Sequence, residues 1–133
     1  MKRYLLLTSA TLPLASGLAL AAPGGRQVLP NEAVQVIQQV GAAAQRKDFS
    51  ALRSLMIQEF TWSFGGDGDS EQAIEAWKHR PAALASLSRA ARGQCGFVSS
   101  ELIQCPMNAG LAYRAGFKRI ANTWKMVYFV EGD

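Results

Sequence analysis

Glu75 and His79 stand four residues apart, the spacing that brings two side chains together on one face of a helix. His79 is the chain's sole histidine. Oriented by a carboxylate, such a residue is a candidate general base, with Asp67, Asp69 or Glu75 as the orienting acid. The competing reading is a solvated histidine at a helix C-terminus, where the dipole favours its charged form.

Asp67, Asp69 and Glu71 alternate as the first three ligands of an EF-hand calcium loop would. The rest of that template is absent. Gln72 occupies the sixth position, where glycine is required, and Lys78 the twelfth, where a bidentate glutamate is required. What remains is a looser ion site or a strand-to-helix turn. In the turn, Gly65, Gly66 and Gly68 supply positive φ and the acids sit at a helix N-terminus.

Cys95 and Cys105 are the only two cysteines. Redox pairs usually lie two residues apart, and a metal centre would need more His or Cys than His79 provides. A structural disulfide is the expectation, worth about 2–3 kcal/mol for so short a loop, and neither metal nor cofactor is expected. The chain has no G-x-S-x-G elbow, phosphate loop or dinucleotide fingerprint. Glu59 and Glu101 are isolated. Arg114 stands among Leu111, Tyr113 and Phe117, so it points either into a pocket or into solvent.

The N-terminus addresses the compartment. Met1-Lys2-Arg3 precedes an apolar run to Leu20, interrupted by Thr8, Ser9, Pro13 and Ser16. Ala19-Leu20-Ala21 satisfies the small-residue cleavage rule. Residues 1–21 are expected to be a cleaved signal peptide, 22–30 a flexible leader, and 31–133 a single domain that is periplasmic or secreted. Interruption by proline and polar residues argues against a membrane anchor. Losing Lys2 and Arg3 lowers the formal charge from +4 to +2. The remaining basic residues are scattered, which disfavours nucleic acid as a partner.

The elements follow from periodicity. Asn31 is expected to cap a helix with Ala33, Ile37, Val40 and Ala44 on its buried stripe. Asp48 caps a second helix carrying Phe49, Leu52, Leu55 and Met56. Phe60, Trp62 and Phe64 alternate with polar residues as a half-buried strand does. Ser70 is expected to cap a helix bearing Ala73, Ile74 and Trp77. Pro81 opens another, with Leu84, Leu87 and Ala91 buried and Gly93 as C-cap. From Gln94 the pattern is β: a hairpin stapled by Cys95 and Cys105, a strand from Leu111 to Ile120 bent at Gly116, and a strand from Thr123 to Val130. The last strand is apolar on both faces, Trp124, Met126, Tyr128 and Val130 on one and Val127 and Phe129 on the other. Such a strand is covered on both sides or lies at a subunit interface. The class is α+β, with helices packed on a curved antiparallel sheet.

The stretch "KDFSALRSLMIQEFTWSF" resembles the start of nuclear-transport-factor-2-like (NTF2-like, SnoaL-like) domains, and "YRAGFKRIANTWKMVYFVEGD" is similar to their last hairpin. The resemblance implies a sheet curled into a cone and closed by helices. Its pocket serves catalysis in some members and ligand or partner binding in others, and many members dimerise through the sheet. The Cys95–Cys105 hairpin and the two helices between Ser70 and Arg92 depart from that pattern.

In such a cone, Trp62, Phe64, Trp77, Tyr113, Phe117, Trp124 and Tyr128, with Arg114, are the candidate lining of an apolar pocket; plain core packing is the alternative. The functional expectation is a non-enzymatic binding protein. Its partner would be a small apolar ligand, another protein or a second copy. The alternative is a small hydrolase or isomerase using His79 with a carboxylate.

Overall fold

Helical periodicity and capping chemistry build the first half of the domain. The computed structural model describes residues 27–63 and 68–132. The expected signal peptide, most of the leader, and Phe64 and Asp67 lie outside the described residues.

Helix α1 (Asn31–Arg46) buries Ala33, Ile37, Val40, Gly41, Ala43 and Ala44. Asn31 is its first residue rather than its cap. Pro30 holds the cap position, and its carbonyl accepts from Val34 N at 3.1 Å. Lys47 takes a left-handed conformation (φ 56°) that reverses the chain. Asp48 then caps α2 (Phe49–Leu55), its Oδ1 accepting from Ala51 N at 3.1 Å. Met56 leaves the helix to open strand β1 (Met56–Thr61), where it is buried opposite Met126. The strand thus starts before the aromatic alternation and ends short of Trp62, because pairing with its neighbour outweighs Met56's place on the helix stripe.

Helix α3 (Ser70–Lys78) is capped by Asp69, one residue earlier than expected. Its Oδ1 accepts from Glu71 N at 2.7 Å and Gln72 N at 3.3 Å, the two donors a cap residue reaches. Helix α4 (Pro81–Ala91) begins on its proline and buries Leu84, Leu87, Ser88, Ala90 and Ala91. Helices α1 and α4 approach closely where Gly41 meets Ala91; a Cβ on Gly41 would lie 3.3 Å from the Ala91 Cβ. Gly93 does not serve as a left-handed cap. Arg92 closes the helix in right-handed geometry (φ −92°), and a Cβ on Gly93 would come within 3.0 Å of the Pro106 Cβ. Close packing, not positive φ, is what favours glycine there.

Strands β2 (Gly96–Phe97), β3 (Leu102–Cys105), β4 (Tyr113–Ile120) and β5 (Thr123–Glu131) join β1 in an open five-stranded sheet, ordered β1-β5-β4-β3-β2. The β2–β5 part is antiparallel, as expected. The sheet as a whole is mixed, because β1 lies parallel to β5. The two are separated in sequence by both later helices and three strands, a crossover that permits parallel pairing. Ala121 (φ 47°) and Asn122 (φ 65°) make a two-residue turn with both residues left-handed, the geometry that suits the twist of a hairpin.

The register slips between Gly116 and Phe117 of β4. Gly116 faces Tyr128 while Phe117 faces Met126, so Val127 is an extra residue. A one-residue slip exchanges the faces of everything beyond it. Trp124, Met126 and then Phe129 therefore point to the helices, and Tyr128 to the opposite side. This corrects the expected grouping of Tyr128 with Trp124 and Met126. The helix-covered side holds Ile103, Ala115, Phe117 and Met126, all fully buried, and Phe60 and Trp77 pack edge to face at 5.7 Å. The Cys95 and Cys105 sulfurs are bonded, S–S 2.06 Å, across the β2–β3 hairpin. The fold is α+β.

Residues 27–30, assigned above to a leader, touch the domain. Gln27 Oε1 accepts from Phe97 N at 2.6 Å, and Leu29 packs against the core. Among the described residues no helix is long and apolar enough to cross a membrane.

Candidate functional site

Where β1 ends, α3 meets α4 and the β4–β5 hairpin opens, the walls line a half-open cavity of about 580 Å3. That volume lies within the usual range for small-molecule sites. Trp62 and Ser63 enter it from the end of β1, Trp77 from α3, and Arg80 and Pro81 from the joint between the helices. Ser86 comes from α4, Tyr113 from the start of β4, and Phe129 and Glu131 from the end of β5. Tyr113 stacks on Phe129 with ring centres 4.9 Å apart and planes 19° apart. Trp77 meets Phe129 edge-on at 5.9 Å. These contacts make a rigid aromatic wall, since each ring is held by another. Arg80 and Glu131 are the only charged lining residues among those described, and both are exposed.

Of the aromatic residues named from sequence, Trp62, Trp77 and Tyr113 converge here. Phe117 and Trp124 do not. They are core residues, 0% and 7% exposed; Trp77 and Phe129, at 4% and 2%, belong to the same core but also line the cavity. Phe64 is outside the described residues. Tyr128 and Arg114 lie across the sheet, because the slip at Val127 turns Tyr128 away. There the Tyr128 hydroxyl donates to Gln104 Oε1 at 2.6 Å. Gln104 Nε2 in turn donates to the carbonyls of Met107 at 3.0 Å and Pro106 at 3.4 Å. Burial raises the Tyr128 phenol pKa, and the Arg114 charge partly opposes that rise. Arg114 Nη2 donates to the Gly110 and Ala112 carbonyls, so it braces the β3–β4 connection.

Phe129, Arg80, Glu131, Ser63 and Ser86 were missed in the sequence. Phe129 was masked by strict alternation, and the glycine at 116 was the available hint of a bulge. Arg80 stands just before Pro81, where one helix must stop and another start; such breaks expose side chains at an edge of the layer.

The acid–base candidates fall elsewhere. His79 has its side chain 77% exposed and its Nε2 3.4 Å from Glu75 Oε1. Lys78 Nζ also approaches Glu75, at 3.6 Å. Neither His79 nor Glu75 lines the cavity. The pair forms on one helix turn, as its spacing requires, but on the surface. Asp69 is occupied in capping α3, and Glu71 pairs with Arg53. Asp67 lies outside the described residues, among which no group of three His, Cys, Asp or Glu could hold a metal ion.

A larger groove, about 680 Å3, runs between α1 and the α4–β2 connection. Gln27, Gln38, Gln45 and Gln94 line it, with small residues Gly41, Ala42 and Gly93. Its described walls hold no aromatic ring and, apart from Arg92, no charge.

No family model matches the chain, and no curated protein matches it. Solved structures similar to it include NTF2-like proteins. One is an NTF2-like protein of unknown function from Shewanella oneidensis, 14% identical over 77% of this chain and 97% of that one, TM-score 0.48. Another is an NTF2-like protein with a cystatin-like fold from Novosphingobium aromaticivorans, 18% identical over 76% and 79%, TM-score 0.46. A third is a candidate ketosteroid isomerase from Shewanella frigidimarina, 10% identical over 74% and 93%, TM-score 0.44. The α+β assignment stands on the element order and sheet described above.

Proposed function

We propose that this chain is an exported, non-enzymatic binding protein that takes a small apolar ligand in the cavity at the open end of its sheet. The supporting observation is the aromatic wall of Trp62, Trp77, Tyr113 and Phe129 around a space of about 580 Å3. Apolar surface removed from water there gains roughly 25 cal/mol per Å2. Trp77, Tyr113 and Phe129, already held by ring contacts, lose little further freedom on binding. The only histidine lies outside the cavity, which leaves no general base of that kind among its described walls. Export is supported by the charged start, apolar run and Ala19-Leu20-Ala21 pattern, and a disulfide is compatible with an oxidising compartment.

The binding test is fluorescence titration of the exported form with N-phenyl-1-naphthylamine, a neutral apolar probe. Saturable binding with a blue shift, weakened at least several-fold by Trp62→Ala and Tyr113→Ala, is the expected result. Absence of saturable binding, or binding that both variants leave unchanged, overturns the reading. Mass spectrometry of protein from the exported fraction should find a chain beginning at Ala22; an intact Met1 start there would refute signal cleavage.

A further inference from the structure

The cavity has an aromatic wall and, at its mouth, two charges of opposite sign. Arg80 comes from the α3–α4 joint and Glu131 from the end of β5. Neither forms an ion pair with the other or with any described residue. A purely apolar ligand would seat against the rings and leave both charges to water. A ligand with only an anionic group would meet Arg80 but bring its charge toward Glu131. A ligand carrying both signs satisfies the two together. The Ser63 and Ser86 hydroxyls on the same walls supply neutral donors and acceptors.

From this arrangement we infer that the ligand of the cavity is an aromatic zwitterion of the amino-acid type: a flat apolar ring bearing a carboxylate and an ammonium group. The ring lies against Trp62 and Tyr113, the half-buried rings of the lining, the carboxylate meets the Arg80 guanidinium, and the ammonium meets Glu131. Arginine suits this task because its planar fork donates two parallel hydrogen bonds to a carboxylate. The inference rests on the apolar-cavity reading and adds the polar half of the ligand to it.

Calorimetric titration with four probes separates the two readings. L-tryptophan carries ring, carboxylate and ammonium; 3-indolepropionate lacks the ammonium; tryptamine lacks the carboxylate; 3-methylindole has neither. Tryptophan should bind most tightly, with each lost charge weakening binding about fivefold, the scale of a partly solvated ion pair. Arg80→Gln should weaken tryptophan and 3-indolepropionate about fivefold and leave tryptamine unchanged. Glu131→Gln should weaken tryptophan and tryptamine and leave 3-indolepropionate unchanged. Both side chains are exposed, and thermal melts check that the variants fold; the probe series on the unaltered chain decides the matter if they do not. Equal binding of all four probes, or of tryptophan to the unaltered chain and both variants, overturns the zwitterion while the apolar cavity stands. If 3-methylindole and N-phenyl-1-naphthylamine also fail to bind, both readings fall together.

Discussion

The two faces of the sheet are built on opposite principles. On the helix-covered face, Ile103, Ala115, Phe117 and Met126 are fully buried and wholly apolar. On the other, the row Gly96, Gln104, Gly116 and Tyr128 runs across four strands. It is organised by one chain of hydrogen bonds from Tyr128 through Gln104 to the Pro106 and Met107 carbonyls. The first face derives its stability from area removed from water, which has no direction. The second depends on donors meeting acceptors at fixed positions. The cavity lies at the margin of the first face, where Trp62 and Tyr113 are only partly covered.

The largest expected difference between the faces is in truncation. Phe117→Ala should destabilise the fold by about 3–5 kcal/mol in denaturant titration. Lys118→Ala, next in sequence but on the other face, should change stability by no more than about 0.5 kcal/mol. Similar losses at the two positions would erase the distinction.

Reduction of the Cys95–Cys105 bridge comes next. It should lower unfolding stability by about 2–3 kcal/mol through a less constrained unfolded chain. Paired denaturation curves with and without reductant measure it, and coincident curves would refute it.

Gly116→Ala probes how tightly the polar face is closed. A Cβ there would lie 2.2 Å from Tyr128 Cε1, so the ring must move. The expected loss is about 1–3 kcal/mol. It should largely vanish in a Tyr128→Ala background, where the obstruction is gone. A penalty that persists in the double variant would place its cause elsewhere.

The smallest effect concerns the phenol itself. Tyr128→Phe removes the bond to Gln104 and should cost about 0.5–1.5 kcal/mol at neutral pH. Burial raises the folded Tyr128 pKa above its ordinary 10.0. The folded state therefore holds that proton more tightly than the unfolded one. This contribution to stability is complete below pH 10 and is lost as pH rises through the folded value. The Phe variant should lack that alkaline decline, as measured by thermal melts across the range.

Legibility in the sequence followed the range of the interaction. Asp48 capping α2, Pro81 opening α4 and the Cys95–Cys105 pair were readable because each acts over a few residues or has a single partner. The cap of α3 was misplaced by one residue, to Ser70, since Asp69 and Ser70 are both good cap residues and only the helix geometry chooses between them. Trp62, Trp77 and Tyr113 were named for the cavity from aromatic character and an assumed cone. Phe117 and Trp124 were named on the same grounds and do not line it, because a ring's chemistry does not say which end of the core it faces.

By itself the sequence determined the α+β class, most helix boundaries, the disulfide and the i, i+4 contact of Glu75 with His79. All of these are set by local periodicity, by capping or by elimination of partners. Only the tertiary structure decided that β1 pairs in parallel with β5, that His79 faces solvent, and that Val127 bulges. That bulge sends Phe129 to the cavity and Tyr128 to the opposite face. The physical reason is that register and depth depend on contacts between residues distant in sequence, and a one-residue slip, at which Gly116 only hints, reverses every side chain beyond it.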